Sequence, residues 1–232
     1  MVGTILEIGR TMNTRRLLTA AALMILATAC DPKSALVKRP ENRTVDTAVS
    51  QLWTDEIAQQ AQSGDWILSR SYYLVGDAIA VLTRGEDFSH AAMYDAEHNT
   101  VIESVGSGVR EISLTEFLAR NHYVAVVRPA GMSPAQRAVS VTRAREQIGK
   151  PFDDAGMLGF DNPEAFYCSE LVAWASQINS RTATKHHERI ITPAGLMKYG
   201  SVIYWSGSRT NAQTMALAMH HRQPVQISRV IP

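Results

Sequence analysis

Apolar residues recur at Val45, Ala48, Val49, Leu52 and Trp53 and again at Ile57 and Ala61, a three-and-four spacing that predicts an amphipathic helix starting near Thr44 and closed by Gly64. The apolar segments 66–68, 89–94 and 100–105 read as strands, and Gly106-Ser107-Gly108 supplies a turn into another at 109–112. A short helix is expected at 77–84, closed by Gly85. Ser113-Leu114-Thr115-Glu116 has the form of a capping box, with its helix running to about Arg120. Residues 123–127 are apolar and β-branched, a strand stopped by Pro129. Ser133-Pro134-Ala135-Gln136 opens a further helix whose buried side is read as Ala138, Val141, Ala144 and Ile148. A third major helix starts near Cys168 and turns Leu171, Val172, Ala175 and Ile178 inward, and a last strand covers 201–205. Residues 207–232 hold an amphipathic stretch at 212–220 that the pattern does not place. There is no internal repeat and no second core, so the element order predicts one α+β domain with an antiparallel sheet.

The amino terminus follows a different logic. Arg15 and Arg16 precede an apolar run over 17–27, too short for a bilayer that takes about 20 residues. A positive segment, an apolar segment and small residues before a cut describe a secretory signal peptide. Leu26-Ala27-Thr28-Ala29 directly before Cys30 resembles a bacterial lipobox, which makes Cys30 the lipidated first residue of the mature chain. Met12, followed by Asn-Thr-Arg-Arg, fits the pattern better as a start than Met1, because Glu7 interrupts the upstream segment. The chain then divides into a signal peptide (1–29), a lipidated cysteine and Pro-containing polar tether (30–43), a folded domain (44–206) and an extension (207–232). The expected location is the bacterial cell envelope, anchored to its membrane; Asp31 resembles an inner-membrane retention signal of some Gram-negative lipoproteins.

Charge and cysteine usage narrow the chemistry. Lys plus Arg (23) nearly balance Asp plus Glu (22), and residues 1–29 hold three arginines against one glutamate, so the mature chain has no basic field for nucleic acid. Two cysteines are too few for a disulfide scaffold, a thiolate zinc cluster or an iron–sulfur site. No histidine pair has the four-residue helical spacing of a metal site, so neither metal nor cofactor is expected. With Cys30 acylated, Cys168 is a single free thiol at a helix start, where free amides and the helix dipole lower a thiol's pKa. A small buried hydrophobe is the commoner fate of such a cysteine.

A base decides between these readings. His98 lies in a polar turn, His186 and His187 in a charged loop, His220 and His221 near the end, and His122 starts a strand without an evident polar companion. His90 instead opens an apolar strand, and Glu103 stands thirteen positions later on the next one. Neighbouring antiparallel strands bring such a pair into hydrogen-bond reach, with the carboxylate fixing the imidazole tautomer. A half-buried histidine bonded to backbone and a solvated carboxylate are the plainer alternatives. Glu170, two residues after Cys168 on the helix, points to a different face.

Six segments in order, Gly64-Asp65-Trp66-Ile67-Leu68, Phe88-Ser89-His90-Ala91-Ala92, Val101-Ile102-Glu103-Ser104 with Gly108-Val109, Gly149-Lys150-Pro151-Phe152-Asp153, Tyr167-Cys168-Ser169-Glu170-Leu171 and Ile191-Thr192-Pro193, resemble the YiiX/YaeF-like branch of the NlpC/P60 superfamily, the permuted papain-like cysteine hydrolases. In papain-like enzymes the cysteine precedes the histidine; here the histidine strand comes first. The resemblance implies Cys168 as nucleophile, His90 as base and Glu103 as its orienter, with Tyr167 and Ser169 as candidates to support the oxyanion. Phe152 stands where members often carry tyrosine. The implied activity is a cysteine amidase or peptidase on an amide or peptide bond, with murein peptides the amides nearest to an envelope protein. Two alternatives stay open: lipid acyl thioesterase or acyltransferase chemistry, favoured if Trp66, Met157, Leu158 and Phe160 line an open groove, and a non-catalytic binding lipoprotein. Composition does not set the oligomeric state.

Overall fold

The computed structural model of the chain describes residues 39–72, 88–160, 162–178 and 190–221. The expected signal peptide with Cys30, the helix expected at 77–84, and His186 and His187 lie outside the described residues. Helix α1 (Arg43–Gln60) precedes β1 (Trp66–Ser71), β2 (His90–Asp95), β3 (Thr100–Val105), β4 (Gly108–Ser113), α2 (Leu114–Leu118), β5 (Asn121–Pro129), α3 (Pro134–Arg145), α4 (Cys168–Ala175), β6 (Gly200–Trp205) and α5 (Ala212–His221). The six strands form one sheet in the order β4-β3-β2-β1-β5-β6, and every pairing is antiparallel. This is the α+β architecture expected from the element order.

The central strands are buried on both faces, which is why 66–68, 91–94 and 124–127 read as unbroken apolar runs rather than alternating ones. On one face Trp66, Leu68, Ala91, Met93, Ile102 and Val127 pack with Val141 and Ala144 of α3 and Leu171 and Val172 of α4. On the other, Ile67, Ala92, Tyr94, Val101 and Val126 pack with Val49, Trp53 and Ile57 of α1 and Phe117 of α2. Gly64 turns the chain from α1 into β1 at φ 84°, and a side chain there would run into the backbone of Arg137, so the turn needs glycine for both conformation and space. No helix among the described residues is long and apolar enough to cross a membrane.

Helix α3 corrects its expected buried face. Ala138 is exposed and Ile148 is 45% exposed, whereas Arg137, Ser140, Val141, Ala144 and Gln147 face inward. Apolar periodicity cannot find that stripe because its polar members are buried with partners. Arg137 donates to Gln62 and to the Met132 carbonyl, and the Ser140 hydroxyl donates to the Arg137 carbonyl.

Residues 207–221, which the pattern left unplaced, are packed onto the domain. Arg209 is fully buried and donates to the carbonyls of Asn121, Leu118 and Asp46, to the Asp46 carboxylate and to Ser50. His122, expected to lack a polar companion, has Ser208 Oγ 3.0 Å from Nε2 and the Tyr72 hydroxyl 3.3 Å from Nδ1. The contact was invisible because its partner comes from a segment 86 positions away.

Candidate active site

Cys168 is the first residue of α4, and the approach to it is pinned from two sides. Ser104 of β3 donates to the Phe166 carbonyl, and the segments at 152 and 166 run in parallel, with Asp153 N donating to Phe166 O and Phe166 N to Pro151 O. Asp153 Oδ1 then accepts from Gly156 N at 2.7 Å, and a side chain at Gly156 would collide with that carboxylate and crowd the Tyr167 ring. Helix α4 packs against β2 and β3, so its amino terminus is delivered to the end of the sheet where β2 begins.

His90 is the first residue of β2, with its side chain 15% exposed. Its Nε2 lies 2.8 Å from Oε2 of Glu103, which is fully buried on the neighbouring strand. The other ring nitrogen is left for Cys168, whose thiol lies near enough for the imidazole and the Ala91 amide to favour its thiolate. The ring also lies against Phe117 of α2, centroids 5.9 Å apart and tilted by 30°. The three residues that sequence and resemblance single out therefore meet at one point, in the order carboxylate, imidazole, thiol.

The electrostatics run against burial. Burial alone would raise the Cys168 thiol, yet the hydrogen bond and charge of His90, with the Ala91 amide, bring it below its ordinary value. Burial would lower His90, but the bonds to Cys168 and Glu103 carry it up to about 9. Glu103, pushed up by burial, is brought down to about 2 by His90 and Arg120. The arrangement favours a thiolate–imidazolium pair beside an ionised carboxylate. The same shifts link the site to stability. The Glu103 contribution is present above the ordinary carboxylate range and fades as pH falls toward about 2. The His90 contribution is complete below its ordinary 6.5 and fades as pH rises toward about 9.

Tyr167 and Ser169 flank the thiol, and their side chains hold the next loop. The Tyr167 hydroxyl accepts from Ile191 N at 3.0 Å, and the Ser169 hydroxyl donates to Ile191 O at 2.6 Å. Glu170 caps the helix, accepting from Tyr167 N at 3.1 Å. The amides of the first turn of α4, at Cys168 and Ser169, precede the first helical bond, Leu171 N to Tyr167 O. Sequence reasoning missed two residues here. Arg110 of β4 and Arg120 beyond α2 both reach Glu103 Oε1, Arg110 through Nε at 3.0 Å and Nη2 at 2.9 Å, Arg120 through Nη2 at 2.8 Å. The signal for Arg110 was present: a two-residue turn at Gly106-Ser107 places position 110 directly opposite 103.

A cysteine at a helix amino terminus, an imidazole on an antiparallel sheet and a carboxylate on the next strand define a cysteine hydrolase of papain-like architecture with the order of its parts permuted. The model of the permuted papain-like amidase family, YaeF/YiiX (C92), matches residues 60–223, and the chain belongs to that family. Among solved structures, the crystal structure of the metalloprotein yiiX from Escherichia coli O157:H7 is 30% identical, covering 51% of this chain and 66% of that one at a TM-score of 0.44. No curated protein matches the chain. That title calls the E. coli protein a metalloprotein. Among the described residues of this chain, Asp95, Glu97 and His98 are the group spaced to hold an ion. Asp95 already accepts from Ser63 and Glu97 N and contacts His98, and the Arg145 guanidinium lies 2.6 Å from its Oδ2, where a cation would sit. The group does not fit a metal, and no step is routed through one.

Proposed function

We propose that this chain is a lipid-anchored cell-envelope amidase that cuts an amide or peptide bond with Cys168, His90 and Glu103, murein-derived peptides being the nearest substrate class. The observation that carries the reading is the 2.8 Å contact of His90 with Glu103 beside Cys168 at the start of α4, in a member of an amidase family. The Cys168 thiolate forms a bond to the carbonyl carbon while first-turn amides of α4 hold the oxyanion. The imidazolium of His90 gives its proton to the departing amine as the carbon–nitrogen bond breaks. Neutral His90 then takes a proton from water, hydroxide adds to the thioester, and collapse releases the acid and restores the thiolate–imidazolium pair. Glu103 keeps Nε2 of the ring occupied throughout, so the other nitrogen always faces the sulfur.

Mass spectrometry of murein peptides and envelope lipids incubated with the full chain tests the substrate class. New amine and carboxylate termini that disappear in the Cys168→Ala chain support the amidase. A second reading, transfer or hydrolysis of a lipid acyl group, has one observation in its favour. Leu158 (75% exposed) and Phe160 (67%), in the turn after Asp153, and Ile190 (39%), next to the Ile191 that Tyr167 and Ser169 hold, present large apolar side chains. Trp66, counted earlier toward such a groove, is fully buried and donates to Ser176, and takes no part in it. Deacylated lipid in the same incubation would favour that reading.

Anchoring rests on the sequence around Cys30. Each buried methylene contributes about 0.8 kcal/mol, so several acyl chains hold where one does not. Cys30→Ser is expected to move the protein to the soluble envelope fraction or to leave it unprocessed; a processed form still pelleting with membranes would contradict the lipobox.

A further inference from the structure

Glu103 is the most heavily partnered side chain of the site, and the partners divide between its two oxygens. Among the described residues Oε2 faces His90, and Oε1 takes both guanidinium groups. The two arginines differ in setting. Arg110 is 38% exposed in its side chain, whereas Arg120 is 17% exposed and lies over the Phe117 ring, 5.7 Å from its centroid. That ring also contacts His90. Among the described residues the Arg120 Nε is buried without a hydrogen-bond partner, and Nη2 donates to Glu103. The remaining charged or titratable groups around the imidazole are Glu103 of β3, Arg110 of β4 and Cys168 of α4; β1 presents Ser69 opposite it.

We propose that Arg120 is a positioning residue that acts through Glu103, fixing the carboxylate with Oε2 toward His90 and limiting how strongly that carboxylate holds the proton of the imidazolium. The inference rests on the reading of Cys168, His90 and Glu103 as the reacting series. A general acid must release its proton to the leaving group, and an unshared buried carboxylate would bind the imidazolium proton too firmly for release near neutrality. Two cations on Oε1 draw charge away from Oε2. Arg120, the less exposed and so less screened by water, has the larger effect.

The test is the titration of His90 in the full chain, followed by NMR of ¹⁵N-labelled histidine and assigned by its loss in His90→Ala. Loss of a nearby cation favours the protonated form of its neighbours, so Arg120→Gln is expected to raise the His90 midpoint by about one pH unit. Arg120→Lys, which keeps the charge, should return the midpoint most of the way, and Arg110→Gln should raise it by less than Arg120→Gln. A folded Arg120→Gln chain whose His90 midpoint is unchanged or lowered overturns the inference. If Arg120→Gln does not fold, an Arg120→Lys midpoint below wild type or an Arg110→Gln midpoint at or below it does so instead. Failure of the underlying reading looks different: wild-type His90 would titrate near its ordinary value, and Cys168→Ala would leave that midpoint in place.

Discussion

Cys168→Ala is expected to reduce turnover of the amide identified by product analysis by about 10⁴-fold or more, because it removes the atom that forms the covalent intermediate. The fold should tolerate the change. The side chain is small, and the helix start is held by Ser104, Asp153 and Glu170 rather than by sulfur. Stability should fall by about 1 kcal/mol at most, the scale of a small buried group. His90 provides an internal control, since its bond to Cys168 is the largest of the influences that raise it. In the alanine variant the imidazole should titrate closer to its ordinary value. Turnover within tenfold of wild type would exclude Cys168 as nucleophile.

The largest stability effect is expected far from the thiol. Arg209 is fully buried, with its guanidinium shared among the Asp46 carboxylate at 3.1 Å, Ser50 and three backbone carbonyls, and it lies 4.5 Å from the Trp53 ring centroid. Arg209→Ala strands Asp46, itself 3% exposed, and leaves the carbonyls of Leu118 and Asn121 without this donor. Breaking a buried pair from one side costs about 3–5 kcal/mol. Arg39, 2.9 Å from Asp46, offsets part of that, so urea unfolding should show a loss near 3 kcal/mol. A loss below about 1 kcal/mol would mean that residues 207–221 are not integral to the core.

The same residues show where sequence reasoning stops. Elements with a strong local signature were legible: the three-and-four spacing of α1, the Ser133 capping box with its reciprocal bonds to Gln136, and the β3–β4 hairpin set by a short turn. So was the meeting of His90, Glu103 and Cys168, because adjacent strands and a helix start are local features and the resemblance supplied the order of the parts. What could not be read depends on contacts distant in sequence. The inward stripe of α3 mixes Val141 and Ala144 with Arg137 and Ser140, whose partners include Gln62 and Met132, so the apolar period alone misplaces it. Arg209 looks like a surface arginine until α1 and β5 are placed around it. In the sequence Arg120 reads as the end of a short helix, and only the sheet brings it to Glu103.

The central claim is that Cys168 and His90 share charge as a thiolate and an imidazolium. Iodoacetamide labelling of Cys168 in the full chain, quantified by peptide mass across pH, tests it without knowledge of the substrate. His90 lowers the thiol despite its burial, so labelling should set in at lower pH than for an unperturbed thiol of about 8.5. His90→Ala removes the imidazolium and leaves burial unopposed by it, so the midpoint should move to higher pH; Glu103→Ala should move it the same way by less. A wild-type profile that follows an ordinary thiol titration, unmoved by either substitution, would contradict the account and leave the chain a binding protein on a hydrolase fold.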